Sequence, residues 1–223
     1  MQWSFEKTGL PGVIVVTPPV FADDRGFFQE TYSQRVFRDN AIPDDFVQAN
    51  RSWSRHAGTL RGIHFQTEPE AQAKLVRCIR GRIFDVAVDL GRSSPTFAQW
   101  FATELSPDNH RQIYIPAGFG HAFLTLEDDT EVLYSVSRHY SKSHDAAVRW
   151  DDPDIAVDWP VRPSDVITRE SLRAATALVA AAFGEPVADV PLPGARRRRS
   201  PASRGRSCNR WNDRRQSRTH RTD

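Results

Sequence analysis

The sequence predicts an all-β protein built as an antiparallel barrel or sandwich of the jelly-roll kind. After Phe46, runs rich in β-branched and aromatic residues recur at short intervals, and Gly, Pro, Asp and Asn separate them instead of helical segments. These runs are 46–53, 59–66, 73–81, 81–90, 97–105, 111–118, 120–126, 131–140 and 147–150. We therefore expect the barrel to occupy about residues 10–160.

The N-terminal part predicts two short strands and one helical turn. Residues 13–20 (VIVVTPPV) are β-branched and end in two prolines, which favours a short edge strand. Asp23-Asp24-Arg25-Gly26 predicts a turn before the next strand, and residues 33–39 predict the first helical turn. Near the other end, the Ala- and Leu-rich residues 171–183 predict a closing helix.

Alternation along two strands separates candidate functional side chains from core side chains. In 83–90, Asp85 and Asp89 share one face with Ala87, so that face is expected to be wet or functional, while the other face is apolar. In 60–66, strict alternation puts His64 and Gln66 opposite Arg61.

Charge divides the chain into two parts. The formal net charge is +2, but residues 194–223 hold eleven Arg against two Asp, a local charge of +9 that leaves the rest of the chain at −7. We expect a jelly-roll domain over 1–185 and a disordered Arg-rich tail over 186–223, because the tail has almost no apolar periodicity. A nucleic-acid-binding arm is the less favoured interpretation, since Trp211 is the only aromatic residue there for base stacking.

The composition indicates a cytoplasmic protein without a disulfide framework. No run of eighteen apolar residues exists, and Glu6 stands where a signal peptide would carry its apolar region. The two cysteines, Cys78 and Cys208, make neither a disulfide framework nor a zinc site, and Cys78 is expected to be a small buried hydrophobe.

Residues 48–89 carry the densest set of candidate catalytic groups. His64 follows Arg61, Lys74 and Arg77 lie on the next strand, and His121 follows a Pro- and Gly-rich turn. Two phenols, Tyr134 and Tyr140, come later in the chain. The alternative is that His64, a single histidine on a strand, has a structural role and that both tyrosines contribute only to packing.

The chemistry that these groups suit is proton abstraction next to a carbonyl. The chain has neither the glycine fingerprint of a dinucleotide site nor a phosphate-binding P-loop, which argues against redox and phosphoryl-transfer enzymes. A neutral histidine is a suitable base, a lysine or arginine stabilises the developing enolate oxygen, and a tyrosine returns the proton.

A family resemblance extends this interpretation. The segments FADDRGFFQETY, FVQANRSWS, GTLRGIHFQ, AQAKLVRCIRGRIFDVAVDL, SSPTFAQW, YIPAGFGHAF, VLYSVSRHY and DPDIAVDWP resemble the dTDP-4-dehydrorhamnose 3,5-epimerase family in order over about residues 10–165. The resemblance implies a cupin-type jelly roll, usually dimeric, that acts on a dTDP-linked 4-keto-6-deoxyhexose without a metal or an organic cofactor.

The resemblance also implies a role for each matched position. His64 is the base that removes the proton at C3 or C5, Tyr134 is the acid on the opposite face, and Lys74 stabilises the enolate at O4. The matched substrate contacts are Arg25 and Arg61 for the diphosphate and sugar, Glu30, Gln48 and Asn50 for the nucleotide, His121 and Asp145 for the substrate, and Tyr140 for stacking on thymine.

One motif departs from the family pattern. The family has Leu-Ser-x-Lys-Asp where this chain has Ile167-Thr168-Arg169-Glu170-Ser171, so Glu170 replaces a lysine that touches substrate and Ser171 replaces the aspartate that supports the catalytic histidine. Either Glu170 orients His64, or a backbone carbonyl or water does, or the imidazole is a weaker base. We therefore hypothesise lower turnover, or inversion of only one of the two carbons.

Two other classes of protein stay open at this point. A metal-dependent cupin is favoured by Pro116-Ala117-Gly118 followed by His121, but the partner of His64 in the metal signature is Gln66, a poor ligand. A catalytically weak or silent sugar-nucleotide-binding module is made plausible by the change at Glu170 and Ser171.

Overall fold

The computed structural model describes residues 2–168 of the 223-residue chain. The closing helix predicted over 171–183, the Glu170 position and the Arg-rich tail lie outside these described residues. The elements in chain order are β1 Ser4–Lys7, β2 Ile14–Thr17, β3 Val20–Asp23, β4 Gly26–Gln29, α1 Gln34–Asp39, β5 Gln48–Ser54, β6 Leu60–Gln66, β7 Lys74–Arg80, β8 Ile83–Asp89, β9 Trp100–Leu105, β10 Gln112–Ile115, β11 Phe119–Thr125, β12 Thr130–Val136, β13 Asp145–Ala147 and a 3₁₀ turn Pro163–Asp165.

Two antiparallel sheets pack face to face and enclose the core. The first has the order β1-β2-β10-β7-β12-β5, and the second has the order β13-β6-β11-β8-β9. Their inner side chains form one buried cluster, with Val76, Ile113 and Val132 from the first sheet against Ala87 and Phe123 from the second. The all-β jelly-roll prediction is confirmed, because interleaved strands from the whole chain build both sheets.

The N-terminal strands differ from the prediction in one respect. Residues 13–20 do not form the edge strand, because β2 lies between β1 and β10, and Pro18 separates it from β3. The edge strand on this side of the sheet is β1, whose sequence SFEK is too short and too polar to show a strand pattern. The helix prediction is confirmed: α1 buries Phe37 against Trp3, Phe5 and Tyr32.

Strand β8 is buried on both faces. Val86 and Val88 pack outward against Ile155 and against side chains of the C-terminal part of the described chain. The Asp85 face points into the barrel, and it is not wet, since Asp85 is 0% exposed. The expectation of a wet face was therefore wrong, and the alternative of a functional face stays a prediction.

A bulge in β6 overturns the alternation predicted for that strand. His121 of β11 pairs with His64, whereas Phe123, two residues further on, pairs with Arg61, so three residue steps of β6 match two of β11. Paired residues point the same way, so Arg61 and His64 share the inner face instead of lying opposite. Gly62 permits this geometry, because its φ is +126° and a Cβ there would lie 2.5 Å from that of Ala122.

Within residues 2–168, no helix is long and apolar enough to cross a membrane.

Candidate active site

Lys74 spans the barrel interior from one sheet to the other. It begins β7 in the first sheet, is only 7% exposed, and donates from Nζ to the backbone oxygen of His64 in the second sheet at 3.1 Å. Burial lowers the pKa of Lys74 from 10.5 to about 8, against the opposing effect of the charges of Asp85 and Asp145. The site therefore holds an ammonium group that has lost most of its water.

His64 lies next to that ammonium on β6. Its register neighbours are His121 on β11 and Ala147 on β13, and its side chain is exposed, whereas Lys74 is buried. An imidazole in this position is accessible to a bound substrate while its backbone is held by Lys74.

Tyr134 approaches the same interior from β12 in the opposite sheet. It pairs with Asn50 on β5 and Val76 on β7, and it packs partly buried against the main core cluster. Burial raises the pKa of the Tyr134 phenol, with the charge of Arg61 opposing this shift and that of Asp145 adding to it. The phenol therefore keeps its proton at neutral pH and can act as an acid.

Arg61 joins the two sheets on the inner face of the bulge. Its Nε donates to Ser54 Oγ at 3.2 Å and its Nη2 donates to the backbone oxygen of Trp53 at 3.1 Å, both on β5. These bonds hold the guanidinium group near Tyr134 and leave further N–H donors for an anionic ligand.

His121 has a carboxylate partner that the sequence did not single out as a site residue. Nε2 of His121 lies 2.9 Å from Oδ2 of Asp85, and both side chains are buried. Oδ1 of Asp85 has no hydrogen-bond partner among the described residues. The sequence signal that could have identified Asp85 is a carboxylate within an otherwise apolar strand of a predicted barrel.

A hydrogen-bonded group of side chains surrounds Tyr140. Gln48 Nε2 donates to Asn50 Oδ1 at 2.8 Å, and Gln48 Oε1 accepts from the Tyr140 N–H at 3.1 Å. The Tyr140 hydroxyl donates to Asp145 Oδ2 at 3.2 Å. Four of the positions expected to contact the nucleotide or substrate are thus connected to one another in the folded chain.

Comparison with known proteins agrees with this geometry. The model of the dTDP-4-dehydrorhamnose 3,5-epimerase family matches residues 7–177. The chain belongs to this family. The assignment that the sequence motifs predicted, and with it the assignment to the carbohydrate isomerases, is confirmed.

Individual members of the epimerase family are similar over most of their length. The dTDP-4-dehydrorhamnose 3,5-epimerase of Methanothermobacter thermautotrophicus is 46% identical over 164 residues, which are 74% of this chain and 88% of that protein. The crystal structure of the Bacillus anthracis epimerase with TDP and PPi bound has a TM-score of 0.73 and 44% identity, covering 76% of this chain and 95% of that one. ChmJ, a 3'-monoepimerase from Streptomyces bikiniensis in complex with dTDP-quinovose, has a TM-score of 0.66 and 33% identity, covering 79% and 89%.

Two expected contacts of the epimerase site lie elsewhere in the single chain. Arg25 stands at the turn of the β3–β4 hairpin, a separate two-stranded sheet, where it pairs with Asp23 and is 89% exposed. Glu30 follows the same hairpin and is exposed. Arg77 does not join the interior cations, because it lies three residues from Lys74 on β7 and lines a cavity with Phe27 and Phe28 outside the barrel.

The imidazoles do not form part of a metal-ligand set within residues 2–168. No three His, Cys, Asp or Glu side chains converge there in a geometry that would hold a metal ion. Gln66, at the second position of the metal signature, is 5% exposed, and its amide binds backbone groups. The donor set therefore differs from that of metal-dependent cupins.

Proposed function

We propose that the chain epimerises C3 and C5 of dTDP-4-dehydro-6-deoxy-D-glucose to give dTDP-4-dehydro-L-rhamnose. The observation that carries the proposal is that His64 and Tyr134 come from opposing sheets to one interior, which is lined by Lys74 and Arg61. A base and an acid on opposite sides of a sugar ring are what inversion at a carbon requires.

The first step is proton removal next to the ketone. The C4 carbonyl acidifies the hydrogens at C3 and C5, and neutral His64 takes one of them while the C–H electron pair moves to O4 as an enolate. The bond from Lys74 to the His64 carbonyl uses one of three ammonium donors, which leaves two for O4. A poorly hydrated cation stabilises the developing anion more strongly than a fully hydrated cation does.

The second step is protonation of the same carbon from the other face. Tyr134 donates its phenolic proton, the enolate collapses to the ketone, and the carbon is inverted. Solvent then restores the proton to Tyr134 and removes the proton from His64. Repeating the sequence at the other carbon completes the double epimerisation, and no external oxidant or reductant is needed.

Substrate binding relies on the nucleotide half of the molecule. Arg61 suits the diphosphate and sugar, because a planar guanidinium pairs with two oxygens at once. Tyr140, which is 58% exposed, offers an aromatic face to thymine, with Gln48 and Asn50 alongside. His121 and Asp145 complete the sugar contacts, and the TDP and PPi in the Bacillus anthracis structure support this class of ligand.

The proposed reaction uses no metal and no organic cofactor. The ammonium of Lys74 supplies the charge that a metal ion would otherwise place at O4. Activity that is unchanged after dialysis against a chelator, together with the absence of bound metal by elemental analysis, supports this part of the proposal, and restoration by added divalent metal contradicts it.

We also propose that the working form is a homodimer. The β3–β4 hairpin exposes three large apolar side chains, and the edge strand β5 exposes Trp53; the exposed fractions are Phe21 53%, Phe27 63%, Phe28 69% and Trp53 46%. Exposed apolar side chains of this size on one hairpin favour burial against another chain. In a dimer, the hairpin of one copy would bring Arg25 and Glu30 to the active site of the other copy.

Inversion of a single carbon is the second candidate. The sequence Arg169-Glu170-Ser171 departs from the family motif, and the similar ChmJ protein is a 3'-monoepimerase. A weaker base would complete only the easier of the two proton transfers. A binding module without turnover is the extreme case of the same departure.

A coupled assay tests the proposed function. Purified protein is incubated with dTDP-4-dehydro-6-deoxy-D-glucose and a nicotinamide-dependent 4-keto reductase specific for the doubly inverted sugar. We expect the reduced nicotinamide cofactor of the reductase to be oxidised only when the purified protein is present. Product inverted at C3 alone supports the second candidate, and no change in the sugar by NMR contradicts both.

A further inference from the structure

Tyr140 is an exposed aromatic side chain that is nevertheless held at two points. The residue is 58% exposed, while its N–H donates to Gln48 at 3.1 Å and its hydroxyl donates to Asp145 at 3.2 Å. A large ring that is ordered before the ligand arrives loses little conformational entropy on stacking, so this arrangement is preorganised for binding.

The backbone on both sides of Tyr140 is held by one buried amide, that of Gln66. Its Oε1 accepts from the N–H of Ser141 at 2.7 Å, and its Nε2 donates to the carbonyl oxygen of His139 at 3.3 Å. The same Nε2 donates to the carbonyl oxygen of Glu70 at 2.7 Å. Gln66 thus binds the peptide groups immediately before and after Tyr140 and connects them to the end of β6.

These bonds occupy both donors of the Gln66 amide and one acceptor position of its oxygen. Both polar atoms have backbone partners, and the residue is 5% exposed, so neither atom is available to a ligand. Gln66 stands where the metal signature of cupins has its second histidine. In this chain that position contacts the loop that carries Tyr140.

We infer that Gln66 is a positioning residue for nucleotide binding: its amide fixes the loop on both sides of Tyr140 and so sets the ring for stacking on the base. The inference rests on the proposed function, in which Tyr140 stacks on thymine. Because both polar atoms of Gln66 bind backbone groups of Glu70, His139 and Ser141, its loss is expected to act on affinity and to leave the proton transfers intact.

A second glutamine provides a matched control. Gln72 Nε2 donates to the carbonyl oxygen of Arg138 at 2.7 Å, so it binds the same loop two residues before Tyr140 without flanking it. Gln66→Met keeps the side-chain volume and removes the bonds on both sides of Tyr140. Gln66→Glu keeps an acceptor for Ser141 but turns an oxygen toward the carbonyl groups of His139 and Glu70. Gln72→Met removes one bond from the same loop.

The experiment compares these variants by calorimetric titration with dTDP and by steady-state kinetics with the sugar nucleotide. For Gln66→Met and Gln66→Glu, we expect Kd and KM to rise by about tenfold for each lost hydrogen bond that contributes to positioning the ring. We expect kcat to stay within about twofold of wild type. Gln72→Met is expected to leave Kd, KM and kcat near the wild-type values.

A double variant separates positioning from general stability. In a Tyr140→Ala background, Gln66→Met should cause no further loss of dTDP affinity, because the ring that it positions is gone. An equal loss in both backgrounds, unchanged affinity in the single variants, or a fall in kcat at constant KM overturns the inference. If wild-type protein binds dTDP and the Gln66 variants bind equally well, only this inference fails; if wild-type protein does not bind dTDP, the proposed function fails as well.

Discussion

Asp85 and His121 form a buried hydrogen bond across β8 and β11, with 2.9 Å between Oδ2 and Nε2. The other carboxylate oxygen has no hydrogen-bond partner within residues 2–168, and the charge of Asp85 raises the pKa of Lys74. One carboxylate therefore acts on two groups that face the proposed reaction centre: it orients the imidazole of His121 and stabilises the ammonium of Lys74.

Replacing Asp85 by Asn should shift the loss of activity to lower pH. The variant keeps the shape of the side chain but removes the charge that favours the protonated form of Lys74. A fall of one unit in the pKa of that lysine would leave about a tenth of the wild-type ammonium at pH values above it. We expect kcat/KM to fall by about fivefold near pH 8 and by about tenfold from about pH 9 upward, measured as a pH profile of initial rates.

Asp89→Asn is the matched control for that variant. Asp89 lies on the same strand and inner face, but its carboxylate accepts from Ser94, Thr96 and the N–H of Gly91. We expect Asp89→Asn to lower stability. The high-pH limb, which is the fall in activity as pH rises through about 8, should stay at the wild-type pH. A limb that moves equally in both variants would show that Asp85 does not act through Lys74.

Activity should fall as pH rises through about 8, because Lys74 then loses the proton that makes it a cation. Burial lowers the pKa of Lys74 from 10.5 to about 8, so the charged form is complete below that value and is lost above it. Lys74→Arg retains its charge to much higher pH, so any residual activity should lack this limb. Identical high-pH limbs in the two proteins would contradict a role for the ammonium.

Gly62→Ala should destabilise the fold and disturb the bulge that puts His64 and Arg61 on the same face of β6. The added Cβ would lie 2.5 Å from the Cβ of Ala122 at a φ of +126°, so the bulge must rearrange. We expect a loss of about 1–3 kcal/mol in the free energy of unfolding, measured by urea denaturation, together with lower activity. Gly9→Ala is the control, since no heavy atom outside Gly9 and its two chain neighbours lies within 4 Å of the added Cβ. Equal stability of the two variants would contradict the packing described for the bulge.

Mixing two inactive variants tests whether Arg25 acts across a dimer. Arg25→Ala and His64→Ala are each expected to be nearly inactive as homodimers. After joint unfolding and refolding, a mixed dimer has one site with both groups, so random assembly should restore about a quarter of the wild-type activity. Activity no greater than the sum of the separate variants would contradict a role of Arg25 across the dimer, and a monomeric mass by light scattering would contradict the dimer itself.

Most strands were predictable because their information is local. Alternating β-branched and aromatic residues bounded by Gly, Pro and Asp marked every strand from β5 to β13 to within a few residues. Strand β1 was missed because its four residues hold one large apolar side chain and gain their structure from pairing with β2. Its sequence alone does not distinguish it from a loop.

The sequence motifs indicated candidate residues for the site, but they did not indicate how those residues are arranged. The family motifs named His64, Lys74 and Tyr134, but the shared face of Arg61 and His64 depends on the bulge at Gly62, which is set by close packing on Ala122. Alternation separated Asp85 from the apolar face of its strand, but it did not show that the Asp85 face lies inside the barrel. The partner of Asp85, His121, lies on another strand, and their pairing follows only from the sheet register. Gln66 was noticed only as a poor metal ligand, because its contacts are to distant backbone groups.

Proton exchange at the substrate carbons tests the central claim, that His64 is the base and Tyr134 is the acid, most directly. Substrate is incubated in deuterated water with wild type, His64→Ala, Tyr134→Phe or His56→Ala, the last being an exposed histidine in the turn after β5, and deuterium at C3 and C5 is followed by NMR. We predict exchange and inversion with wild type and His56→Ala, exchange slowed by about two to four orders of magnitude with His64→Ala, and exchange without efficient inversion with Tyr134→Phe. Deuterium uptake by His64→Ala at the wild-type rate would contradict the account.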